Sequence, residues 1–218
     1  MNTNDLIQRL STDLAPVEPL WRPGGRALAW LAVAAVYVVV LTVLLAKSGA
    51  SIDLSSPRVW LPHLAAIVAS LLASWAAFAS VIPGHSRRAA ACAAIAASVW
   101  VASVIVASRW DSDVATIVAS RHELACVAVI ILGGAPVLVA MAAMLRRGAP
   151  FTPATTAAFA ALAVGALTNV GACFWRPHAV DDVTLVWHGG AILALVVACA
   201  LGARLVPRAV GARLGRSS

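Results

Sequence analysis

Charge is scarce in this sequence. Only 11% of its 218 residues are charged, against 61% hydrophobic. A soluble domain carries about 25% charged and roughly 45–50% apolar residues, so the shortage excludes an ordinary soluble fold. Nor are there the alternating strands of about ten residues that a membrane barrel requires. Zinc-finger spacings and basic–aromatic motifs are both missing, which removes the usual routes to direct nucleic-acid binding. The residues ahead of the first apolar run hold three acids and two proline clusters. They make a poor leader segment, so that run is expected to be a retained helix.

What is present is a series of apolar runs separated by short polar islands. A transmembrane helix needs about 20 mostly apolar residues to cross a hydrocarbon core about 30 Å thick. Six stretches qualify: Ala27 to Lys47, Trp60 to Ile82, Ala89 to Ala107, Leu124 to Leu145, Ala154 to Trp175 and Thr184 to Val206. The breaks carry turn chemistry, PGHSRR at 83–88, RRGAPFTP at 146–153 and RPHAVDD at 176–182. Helices are expected because each then satisfies its backbone within its own segment. The sequence therefore predicts an all-α polytopic membrane protein: an arm at 1–25, a six-helix transmembrane domain at 26–206, and a basic tail at 207–218.

Six crossings return both termini to one side. Eleven of the sixteen basic residues fall on that side, with three of the nine acids; the other side holds five basic and six acidic residues. The positive-inside rule then predicts cytoplasmic termini, and the net charge of +7 reads as topology and attraction to anionic lipid.

The spans also lack ionisable residues near their middles, where ion paths and proton relays are usually marked. Asn169 is the one strongly polar exception, and helix–helix hydrogen bonding is its simplest role. Ala, Gly and Ser abound, as close helix packing in lipid requires. Gly133-Gly134-x-Pro136 is expected to bend the fourth span.

In the arm, Leu6, Ile7, Leu10 and Leu14 recur at helical spacing, with Asp5, Gln8, Arg9 and Asp13 on the remaining faces. Asn2, Thr3 or Asn4 caps this short helix and Pro16 ends it. At about 12 residues it needs a surface to lie against. The membrane surface, the inner loops, or a groove on a cytoplasmic protein would each serve.

Four cysteines and five histidines complete the inventory. Cys92 and Cys199 lie within spans and read as small hydrophobes. RHELAC at 121–126 places His122 and Cys126 one helical turn apart on one face. The fourth and fifth spans are joined by a short loop, so Cys126 and Cys173 are expected at similar depth near the outer edge. In an oxidising compartment they are candidates for a disulfide or thiol sensor. With His122, His178, Asp181 and His188 they are also candidate ligands for a soft or borderline metal. HELAC is not the HExxH of zinc peptidases, since Cys replaces the second His.

The arm DLIQRLSTDLAPV, the loops PGHSRR and RRGAP, and LVWH at the start of the last span together resemble the NrsF family, six-helix bacterial inner-membrane proteins that act as anti-sigma factors. The resemblance runs along nearly the whole chain, in order and at matching spacing. It implies a non-enzymatic protein, with no resident cofactor, that holds an extracytoplasmic-function sigma factor at the membrane until heavy metal or oxidant reaches the outer side. It implies that Asp5, Leu6, Ile7, Leu10 and Leu14 contact the sigma factor, with Arg87, Arg88, Arg146 and Arg147 assisting. Of the family's two outer cysteines, one matches Cys126. The other precedes a proline where this chain has Arg176-Pro177, and Cys173, one turn earlier, is the candidate to stand in for it. His85 stands where an arginine is common. Two other classes remain open: a small transporter or channel subunit for a metal ion or neutral solute, and a membrane metalloenzyme using Glu123 as base.

Overall fold

A computed structural model describes residues 3–12, 21–45, 57–82, 87–108, 121–146, 148, 152–175 and 182–214. Among them the chain is all helix: α1 (Thr3–Thr12), α2 (Pro23–Leu45), α3 (Pro57–Ala79), α4 (Arg88–Ser108), α5 (Arg121–Leu145), α6 (Pro153–Trp175) and α7 (Asp182–Leu214). The last six are each long and apolar enough to cross a membrane, at the places the apolar runs predict. α1 is a short helix, and in its last turn the Ser11 and Thr12 hydroxyls donate back to the Gln8 carbonyl.

Several helices begin at proline. Pro23, Pro57 and Pro153 are the first residues of α2, α3 and α6, positions where the missing N–H would have no helical partner anyway. α5 continues through Pro136. α7 does not stop where the apolar run ends: it continues to Leu214. Its 33 residues rise about 50 Å at 1.5 Å each, well beyond a 30 Å hydrocarbon core. The first part of the expected basic tail is thus a continuation of the last span.

α3 and α6 form the centre of the bundle and pack closely together. In their most apolar stretches 50% and 61% of residues are buried, against 17–28% for the other four spans. The reason is side-chain size. Ala66, Ala69, Ser70, Ala73, Ser74, Ala76 and Ala77 on α3 meet Ala160, Ala161, Ala163, Gly165 and Ala166 on α6 at or near zero exposure. Small residues let backbones approach, and dispersion then replaces the hydrophobic drive that lipid does not supply. The Ser70 hydroxyl donates to the Ala163 carbonyl at 2.8 Å, and Ser80 and Thr156 share a hydrogen bond of 2.6 Å. α2 packs on both members of this pair, α5 packs on α6 and α7, α4 lies along α3, and α7 lies along α6.

Glycines on α5 and α6 mark the closest approaches. A Cβ on Gly171 would sit 2.6 Å from Val38 of α2, and one on Gly165 would sit 2.9 Å from Ile192 of α7. Gly134 on α5 brings that helix against Val164 and Thr168 of α6. α4 and α7 touch each other little, which leaves a gap between them.

Candidate functional site

The end of the bundle where α5 begins and α6 ends gathers the chemistry. Cys126 is on the second turn of α5 and buried at 1% exposure. Cys173 is on the last turn of α6, half-buried; position 176 lies outside the described residues. Both are present as thiols. His188, in the second turn of α7, is only 3% exposed.

Two of the expected site residues are brought together directly. Cys173 Sγ lies 4.0 Å from His188 Nδ1. The same nitrogen lies 2.8 Å from Asn169 Oδ1. A carbonyl oxygen only accepts, so in this arrangement Nδ1 carries the proton and donates to Asn169. Asn169 is thus the α6 residue that orients the α7 histidine, a helix-to-helix bond of the kind expected for it. His63 of α3 adds an edge to the cluster, its ring tilted against Phe174 with centroids 4.9 Å apart.

His122 is on the first turn of α5, but its side chain, like that of Glu123, lies outside the described residues, as do His178 and Asp181 entirely. Among the described residues no three His, Cys, Asp or Glu side chains group as metal ligands. The described part of the site is a thiol–imidazole–amide constellation.

At the other end of the bundle lies a feature that counting charges does not reveal. Arg26, on the first turn of α2, is 6% exposed. Its guanidinium donates to the Met144 carbonyl in the last turn of α5 and stacks over Phe78 of α3 at 4.7 Å. A cation is unfavourable at its own helix N-terminus but favourable at another helix's C-terminus, and the aromatic face adds to this. Arg26 therefore ties three helices together beside the point where the arm enters. A cation immediately ahead of an apolar run was the available signal; which carbonyl it serves was not visible.

Of the expected partner-binding residues, Asp5 and Ile7 on α1 are exposed, Ile7 at 59%. The side chains of Leu6 and Leu10 lie outside the described residues, as does all of Leu14. Arg87, Arg88 and Arg146 are exposed, and Arg147 lies outside the described residues.

A family model described as NrsF, negative regulator of sigma F, matches residues 10–208. The chain belongs to the NrsF family. The match covers all six spans and the basic loop sequences at 83–88 and 146–153, and begins within α1. The family description implies that this membrane protein negatively regulates a sigma factor, which is then its partner. No curated protein and no solved structure matches the chain.

Proposed function

We propose that this protein is an anti-sigma factor of the bacterial inner membrane, with cytoplasmic termini, that sequesters an extracytoplasmic-function sigma factor and releases it when a metal or oxidant acts at the outer cysteines. It has no catalytic role. The observation that carries the reading is the family match over residues 10–208, on a chain whose arm offers an exposed apolar residue, Ile7, and in which Arg87, Arg88 and Arg146 are also exposed.

Supporting the route of the signal is α5 itself. Its second turn holds Cys126 and its last turn holds Met144, whose carbonyl accepts from Arg26. A change in packing at Cys126 that rotates or shifts α5 would be felt at the base of the arm. Moving a two-state system from mostly bound to mostly free takes about 5 kcal/mol of differential binding. A thiol–metal site or a disulfide supplies energy of that order.

The test is co-purification of the full-length protein with sigma factors of its own host. Wild type is expected to capture one, the double variant Leu6→Asp, Leu10→Asp to lose it, and Cys126→Ser to retain it under metal or oxidant stress. Failure of the wild type to capture any sigma factor overturns the anti-sigma reading. Capture with normal release from Cys126→Ser overturns only the sensing part.

A further inference from the structure

α5 is shared between two packing units. Ile130, with Val129 at its edge, packs in a cluster with Val170 and Ala172 of α6 and Ile192 of α7. Val137, Met141 and Leu145 pack instead in a cluster with Trp30 and Val38 of α2. α2 contributes its buried apolar residues to this second cluster only. Cys126, one turn before Ile130, is on the first side of the division, and Met144 is on the second. Two hydrogen bonds tie that second, C-terminal half of α5 to α2. Arg26 donates to the Met144 carbonyl, and the buried Trp30 indole N–H donates to the Val137 carbonyl at 3.3 Å. The donors are about one turn apart on α2 and the acceptors about two turns apart on α5, so the bonds bracket the half-helix from its start to its end. Arg26 also donates its backbone N–H to the Arg22 carbonyl at 3.1 Å, which joins the root of the arm to the same assembly.

The division falls at Gly133-Gly134-x-Pro136. A Cβ on Gly133 would stand 2.9 Å from Leu41 of α2, and one on Gly134 would stand 3.1 Å from Val164 of α6. Side chains of two neighbouring helices thus close on bare backbone. Pro136 is exposed and lacks the N–H that would bond the Leu132 carbonyl. The helix is continuous there, but it is missing one of the bonds that resist bending. A backbone pinched between two neighbours and short of one hydrogen bond is a pivot.

We propose, resting on the anti-sigma reading, that α5 works as a jointed lever which pivots at Gly133–Pro136 and moves α2, and with it the arm, when packing at Cys126 changes. Trp30 and Arg26 are then positioning residues, holding α2 and the C-terminal half of α5 as one body. A rigid α5 would have to slide against both clusters at once, whereas a pivot leaves each packed. Met144 is ten residues beyond Gly134, about 15 Å along the helix. A tilt of about 5° at the pivot moves it by about 1.3 Å, within the roughly 1–2 Å helix shifts that repack an interface.

The test is the ratio of free to captured sigma factor, measured on the full-length protein before and after diamide or mercuric chloride. Pro136→Ala restores the missing bond at an exposed position, and Trp30→Phe keeps an aromatic ring but loses the bond to Val137. Both are expected to capture as wild type does and to lower the ratio after treatment about fivefold, one hydrogen bond's worth. Ser70→Ala removes a bond between α3 and α6 and is expected to release normally, which separates the lever from a general loss of stability. Pro136→Ala is also expected to keep its helical circular dichroism, since alanine favours helix. Normal release from Pro136→Ala, an equal defect in Ser70→Ala, or loss of capture by Pro136→Ala would each overturn the lever alone. A wild type that captures no sigma factor, or captures one and releases it under neither reagent, overturns the reading beneath it and the lever together.

Discussion

At the scale of single residues, polar side chains inside the bundle act as ties between helices, and each tie has a measurable worth. Arg26 couples α2 to the last turn of α5 and to the Phe78 face. Replacing it with Met keeps the apolar stem but loses the charged hydrogen bond and leaves the Met144 carbonyl to find another donor. A loss of about 2 kcal/mol is expected, given the 1.5–3 kcal/mol range for hydrogen bonds to charged groups. Unfolding by titration with a denaturing detergent checks it, and Arg26→Lys is expected to fall between the two. Asn169→Ala removes the acceptor of the His188 ring; about 1 kcal/mol is expected, since interhelical hydrogen bonds in membranes average roughly 0.6 kcal/mol with a maximum near 1.7. The same variant frees the imidazole to rotate, so alkylation of Cys173, 4.0 Å from that ring, is expected to change rate while alkylation of Cys92, on α4, does not. An unchanged Cys173 rate would show that the histidine does not influence the thiol.

At the scale of helices, the decisive contacts are those where a hydrogen atom stands in for a side chain. Gly171 brings α6 against α2, and a methyl group there would stand 2.6 Å from Val38 Cγ1 and 3.0 Å from Thr42 Oγ1. Gly171→Ala is expected to destabilise by about 1–3 kcal/mol, the usual cost of overpacking. Adding Val38→Ala is expected to recover much of that loss, because it removes the nearest atom. A double-mutant cycle measured by thermal aggregation reads the coupling; independent, additive effects would mean the two helices separate rather than clash. For α1 the argument is different, since its apolar side has no need to face lipid. Ile7→Asp is expected to weaken sigma-factor capture at least tenfold while leaving the thermal stability of the six spans unchanged, as measured on the same purified protein.

At the scale of the whole molecule, six spans would return both ends of the chain to one side, and the distribution of arginine is the ground for proposing that this side is the cytoplasm. A fluorescent reporter that matures only in the cytoplasm is expected to light when fused after Ser218. A reporter requiring export is expected to stay inactive at that position and to become active when inserted at Ser112. The reverse pattern would invert the orientation and place Cys126 and Cys173 toward the cytoplasm. At this scale too, the two central helices are held by packing and the outer four largely by lipid. Shortening the bilayer is therefore expected to disturb the α4–α7 side, where the two helices meet little, before the α3–α6 pair. Hydrogen exchange in nanodiscs of differing acyl length would report that order.

The chain's class, its six spans and the amphipathic arm were all legible from the sequence, because burial in hydrocarbon is a local requirement that each segment of about 20 residues meets alone. The central role of α3 and α6 was also latent there. They are the two least hydropathic spans, since serines and threonines satisfied inside a bundle replace the leucines and valines that lipid demands. The family was recognisable from ordered short motifs, none of which folds on its own. Which polar groups meet was a matter for the tertiary structure alone. His188 could have been placed at a membrane interface as readily as buried on Asn169, and Arg26 looked like one more basic residue until the end of α5 came beside it. Cys173 could be given a depth from its span, but its contact with a histidine fifteen residues away depends on how α7 lies along α6. Such pairings follow from the rotation of one helix about another, set by where glycine and alanine permit backbones to touch, and no single segment carries that information.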